Sequence, residues 1–85
     1  EFKFKVKANI NGRISEIDNR KLAKLAKLAG APSAITAGVL LYTSLGTQVK
    51  PDDILYEIHA ESQGELEYAL SYLDAQKDII KINES

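Results

Sequence analysis

From Phe2 to Ile10 the apolar residues Phe2, Phe4, Val6, Ala8 and Ile10 alternate with Lys3, Lys5, Lys7 and Asn9. Successive strand side chains point to opposite faces, so this period of two predicts a half-buried strand whose lysines meet water. Asn11-Gly12 tolerates positive φ and predicts a hairpin turn, with Arg13 to Ile17 as the returning strand. Ile14 and Ile17 break strict alternation, the mark of a bulge or of a strand that ends early.

The spacing then changes to a helical one. Leu22, Leu25, Ala26 and Ala29 share a face in NRKLAKLAKLAG, with Asp18 or Asn19 as the cap and Gly30 and Pro32 as the stop. Gly38 to Tyr42 is a short continuous apolar run, which predicts a strand covered on both faces in the core. Gly46 marks one turn, and Lys50-Pro51-Asp52-Asp53 a second with proline at its second position. Ile54, Tyr56, Ile58 and Ala60 alternate with Leu55, Glu57 and His59 as a further strand. Ser62-Gln63-Gly64-Glu65 has capping-box spacing, and Leu66, Ala69, Leu70 and Leu73 form the apolar stripe of the helix behind it. Lys77-Asp78 interrupts the stripe, and Ile79 to Ile82 closes the chain as a last strand.

The order is strand, strand, helix, strand, strand, helix, strand, without linker, low-complexity segment or repeat, which predicts one α+β domain over residues 1–85. The chain lacks methionine and begins at Glu1-Phe2 inside a strand pattern, which reads as a domain excised from a longer protein.

Charge and composition narrow the functional classes. With 11 basic and 12 acidic residues the net charge is -1, so no global field is present to hold nucleic acid. No apolar run approaches the roughly 20 residues that span a bilayer. The absence of cysteine excludes disulfides, thiolate chemistry and cysteine zinc sites, and is compatible with a cytoplasmic setting.

Chemistry-bearing residues are few. His59 is the single histidine; on a strand it shares a face with Glu57, while Glu61 falls near the helix start. Without a second ligand at metal spacing, a half-exposed strand histidine is the better reading. Asp52-Asp53 fits turn chemistry rather than a calcium loop. Lys21, Lys24 and Lys27 make a basic stripe without interleaved aromatics, which reads as a solvated helix face. No GxGxxG or glycine-lysine-serine loop occurs, and no serine has a base to activate it. Tyr42, Tyr56, Tyr68 and Tyr72 read as core and interface aromatics. The residues therefore predict no catalytic, cofactor-binding or metal site.

GVLLYTSLGTQVKPDDILYEI has the rhythm of the hammerhead hairpins of biotinyl and lipoyl carrier domains. However, Lys50 precedes Pro51 and lacks the Met-Lys-Met or Asp-Lys-Ala setting those domains show. KLAKLAKLAGAP, AGVLLYTSLGTQVKPDDILYEIHAES and LEYAL together resemble the C-terminal domain of the thymidine and pyrimidine-nucleoside phosphorylase family, over about residues 8 to 82. Within that family, Ala29-Gly30-Ala31-Pro32 and Ala60-Glu61-Ser62 are closer to the archaeal AMP phosphorylase branch. Two positions depart: Asp52-Asp53 stands where members have Gly-Asp, and Ala34-Ile35-Thr36 where they have Asp-Lys-Gly.

The resemblance implies an α/β-hammerhead fold with a hammerhead hairpin. For the parent it implies phosphorolysis, with phosphate as a substrate and the phosphate-binding and base-contacting residues upstream. It further implies a scaffold role beside the catalytic α/β domain of the same chain and a homo-oligomeric parent; the charge balance argues against a nucleic-acid partner and the lack of a long apolar run against a membrane one. The alternative is a stand-alone hammerhead binding or biotinyl/lipoyl-like module.

Overall fold

A computed structural model describes residues 2–30, 38–76 and 78–84. The elements are β1 (Phe2–Lys7), β2 (Gly12–Ile17), α1 (Asn19–Leu28), β3 (Val39–Leu41), β4 (Gln48–Val49), β5 (Ile54–Ala60), α2 (Gln63–Ala75) and β6 (Ile80–Glu84). They form two three-stranded antiparallel sheets, ordered β1-β5-β3 and β4-β2-β6. The α+β composition agrees with the sequence, with β4 as an addition. Pro32, Ala34-Ile35-Thr36 and Lys77 lie outside the described residues.

Both helices begin as their caps dictate. The Asp18 carboxylate accepts from the Lys21 N–H at 3.1 Å, and the Ser62 hydroxyl accepts from the Glu65 N–H at 3.2 Å. The Ser62 hydroxyl in turn donates to the Glu65 carboxylate at 3.1 Å, which locks the two side chains together at the helix start. At the far end of α1, Gly30 takes φ 97 and its N–H donates to the Lys27 carbonyl, the left-handed stop that only glycine adopts without strain. Leu22, Leu25, Ala26 and Ala29 are buried, as are Leu66 and Ala69 of α2. All of these but Ala26 cluster with Tyr56 and Ile58 of β5, and the same cluster takes in Ile14, Val49 and Ile79 from the β4-β2-β6 end. Gly38 lets β3 approach α1, because a Cβ there would lie 2.8 Å from the Ala26 carbonyl oxygen.

The β1-to-β2 hairpin expected at Asn11-Gly12 does not form. β1 pairs with β5, from Phe2 opposite Ala60 to Lys7 opposite Ile54, whereas β2 pairs with β4 and β6. Gly12 is the first residue of β2 and is not among the residues of positive φ. Its requirement is proximity: a Cβ would press on the Asn83 carbonyl oxygen and lie 2.6 Å from Ile82 Cγ2. The irregularity expected near Ile14 is present as a register shift between Ile14 and Glu16. Gly64, inside the capping-box run, lies in the first turn of α2.

Gly46 to Asp53 is also not a self-paired hairpin. β3 and β5 pair antiparallel, and the chain between them makes an excursion to the other sheet, where β4 joins β2. Gly46, at φ 85, donates to the Ile14 carbonyl at 2.8 Å, and Ile14 donates to Thr47 at 2.9 Å. The return passes through Lys50-Pro51-Asp52-Asp53, closed by the Asp53 N–H on the Lys50 carbonyl at 3.1 Å. This turn is held against the end of β1: Asp52 donates to the Ala8 carbonyl at 2.9 Å and Ala8 donates to Asp53 at 2.8 Å.

Asp52 sits at φ 78, the left-handed third position of a type II turn, where glycine is favoured. Asp52→Gly relieves a strain of roughly 1–2 kcal/mol and loses part of it to unfolded-chain entropy, for an expected gain of about 0.5–1 kcal/mol, read as a higher urea midpoint. Gly12→Ala is expected to cost about 1–3 kcal/mol on the same measurement, because the obstructing atoms belong to the paired strand rather than to a flexible side-chain end.

Candidate functional site

The β1-β5-β3 sheet has two unlike faces. One carries Val6, Tyr56, Ile58 and Val39 toward the helices. The other carries Lys3 opposite His59 and Lys5 opposite Glu57, with Leu40 of β3 opposite Glu57 on its other side. His59 Nε2 stands 2.7 Å from Glu57 Oε1, and the Tyr42 hydroxyl donates to the same oxygen over 3.4 Å. The period-two spacing of Glu57 and His59 foretold their shared face; Tyr42 arrives from just beyond the end of β3 and left no signal in the sequence. Glu61 is apart from them, its N–H donating to the Ala29 carbonyl at the end of α1.

Glu57 is a buried charged residue, only 7% exposed. The hydrogen bond from His59 holds its carboxylate below the ordinary value of 4.5; desolvation opposes this, and the charges of His59, Lys3 and Lys5 reinforce it. The Tyr42 phenol is raised, first by desolvation and then by the Glu57 carboxylate. Burial alone pushes the Tyr56 phenol, on the helix-facing side, up to about 12.

A carboxylate-histidine pair orients an imidazole in general-base catalysis, but the base also needs a nucleophile or substrate within reach. Glu57 is the hydrogen-bond partner of His59 among the described residues. A cavity of about 190 Å³ runs beneath Val6, Ala8, Leu55, Tyr56 and Ile79, and an apolar groove of about 460 Å³ lies between Phe4, Leu70, Leu73 and Asp74; neither is lined by Glu57 or His59. No group of three histidine, cysteine or acidic side chains gathers among the described residues. The arrangement ties the segment at the end of β3 to β5 on an exposed sheet face.

The other residues singled out from the sequence are dispersed. Lys24 and Lys27 are exposed along α1 and Lys21 is half-buried. Lys50 is exposed in its turn, with its Nζ 3.7 Å from Asp53 Oδ1 and its N–H donating to that carboxylate at 3.0 Å. Of the four tyrosines only Tyr56 is core; Tyr42 and Tyr68 are exposed and Tyr72 half-buried.

β3 departs most from expectation. The run read as a doubly covered core strand is an edge strand, with Leu40 41%, Tyr42 53% and Leu45, just beyond it, 65% exposed. The opposite edge, β1, carries Lys3, Lys5 and Lys7, charges that discourage strand addition; Val39 to Leu45 carries none.

Residues 13–80 match the family model described as the pyrimidine nucleoside phosphorylase C-terminal domain. The chain belongs to that family. It is 53% identical over 73 residues to a protein of Sphingopyxis alaskensis named "Putative thymidine phosphorylase", a match covering 86% of this chain and 14% of the relative. A Legionella pneumophila protein of the same name is 48% identical over 84 residues, covering 99% of this chain and 16% of the relative. The chain thus spans about one-seventh of the length of the relatives it matches.

With its pKa below 4.5 in the fold, Glu57 binds fewer protons there than in the unfolded chain. The stabilisation is complete above that ordinary value and is lost as pH falls through the lower, folded one. The advantage of the native chain over Glu57→Gln in urea midpoint is expected to hold steady just above pH 4.5 and to shrink below it. A difference independent of pH across that window contradicts the Glu57–His59 hydrogen bond as the cause.

Proposed function

We propose that the chain is the non-catalytic C-terminal domain of a cytoplasmic phosphorylase. The parent enzyme transfers a pentosyl group to phosphate by breaking the N-glycosidic bond of an AMP-type nucleotide or of a pyrimidine nucleoside. The observation that carries this reading is the family match over residues 13–80, in a chain whose one histidine is paired to a strand carboxylate outside any described cavity.

In phosphorolysis a phosphate oxygen attacks the anomeric carbon while the base departs with the bonding electrons, so catalysis needs phosphate-binding donors and groups that stabilise the leaving base. This domain contributes neither. Its part is to supply a rigid body joined to the catalytic portion of the same chain, in a parent that assembles as a homo-oligomer.

The carrier alternative has the exposure of Lys50 in its favour. Against it, the excursion that bears Lys50 is anchored at Ile14 on one side and Ala8 on the other, whereas a carrier arm presents its lysine at a free hairpin tip.

Phosphorolysis by the full-length parent and by residues 1–85 alone, with phosphate and AMP, CMP, UMP, thymidine or uridine, tests the proposal. Base release by the parent alone is expected. Release from nucleotides points to the AMP branch and release from nucleosides to the thymidine branch. Phosphate-dependent release by the 85-residue chain overturns the non-catalytic role.

A further inference from the structure

The face of the β1-β5-β3 sheet turned away from the helices combines three features. Its β3 margin is apolar and uncharged, with Leu40 and Tyr42 exposed on it and Leu45 exposed in the turn that follows. Its centre holds the Glu57 carboxylate, hydrogen-bonded from both sides by Tyr42 and His59, so that this charge meets an incoming surface with its nearer oxygen already engaged. Its far margin carries Lys3 and Lys5. An apolar flank, a pre-satisfied polar centre and a charged rim are the composition of a protein interface.

We infer that this face is the docking surface for the polypeptide that precedes the domain in a full-length phosphorylase, with Leu40, Tyr42 and Leu45 as its apolar anchors. The inference rests on the reading of the chain as the C-terminal domain of such an enzyme.

Two observations favour that occupant over a second copy. The relatives carry about six-sevenths of their length outside the matched region, so a large body is attached to this domain. The attachment is also close at hand: β1 lies in the same sheet as β3 with only β5 between them, and two strand spacings are about 10 Å. A segment tethered at that distance acts at an effective concentration in the millimolar range, which a free second copy does not reach. A free-standing dimer also covers about 800 Å² per partner, a large share of a chain whose whole accessible surface is 5430 Å². Lys3 and Lys5 further require an occupant that presents carboxylates, or leaves water, at that margin; a copy turned about a two-fold axis through the rim would bring lysine against lysine.

The test is thiol accessibility in the full-length enzyme. These 85 residues contain no cysteine, so a cysteine introduced by Leu45→Cys is the only thiol in the domain, and its labelling by a maleimide can be read by peptide mass. The side chain of Leu45 is exposed in the domain itself, so without an occupant it reacts nearly as fast as in the denatured full-length chain.

The expected result is labelling slower than in the denatured chain by about tenfold or more, unchanged when the protein is diluted a hundredfold. Slow labelling that is lost on dilution assigns the face to a second copy and overturns the inference, as does labelling at the denatured rate at every concentration. Phosphorolysis measured on the same preparation reports separately on the proposed function: an inactive enzyme with a protected thiol overturns that reading alone, and an active enzyme with a freely reacting thiol overturns the docking surface alone.

Discussion

The fold depends on β5 having a partner on each side. Ile54 to Ala60 pairs with β1 along nearly its whole length and with β3 over Tyr56 to Ile58. Its helix-facing side supplies Tyr56 and Ile58, two of the largest fully buried side chains in the molecule. A strand in that position cannot slip by one residue, since the slip would turn Ile58 and Tyr56 outward and draw Glu57 under the helices. The same constraint places Glu57 and His59 side by side on the open face, so the polar pair follows from the burial pattern behind it.

The two sheets share no strand, and their union rests on a few reciprocal loop contacts and one continuous core. Ala8 is bonded to Asp52 and Asp53, Ile14 to Gly46 and Thr47, and Asp18 to Ile79, each a backbone hydrogen bond between segments distant in sequence. Such bonds contribute only about 1 kcal/mol each, but they satisfy groups that the crossing chains would otherwise leave unpaired as they turn. Ile14, Val49 and Ile79 extend the apolar cluster of the helices into the β4-β2-β6 end. The excursion between β3 and β5 is thereby part of the scaffold rather than a swinging arm.

Features with local causes were legible in the sequence. The Asp18 and Ser62 caps, the glycine stop at Gly30 and the turn at Lys50 to Asp53 each depend on residues within about one helical turn, and each is present. Features with distant causes were not. Asn11-Gly12 has the local chemistry of a hairpin turn, yet Gly12 is required by the backbone at Asn83, which no local pattern announces. Gly38 to Tyr42 is apolar enough for a core strand, and its expected burial presumed a cover that the described residues do not supply. At the candidate site, the spacing of Glu57 and His59 identified a shared face, while Tyr42 was found only through the pairing of β3 with β5.

The exposed margin of β3 and the open placement of the Glu57–His59 pair belong to one surface. A domain with its own chemistry concentrates unusual polar groups in a cavity from which water can be excluded. Here the Glu57–His59 pair lies on an open sheet face, the 190 Å³ cavity is lined mainly by aliphatic side chains, and the β3 edge is apolar. Its free energy is invested in a rigid three-stranded wall with helices on one side, and what the wall leaves uncovered is hydrophobic on one flank and basic on the other. An uncovered face of that make-up is what leads to the docking surface inferred above, in a chain that spans about one-seventh of the length of its relatives.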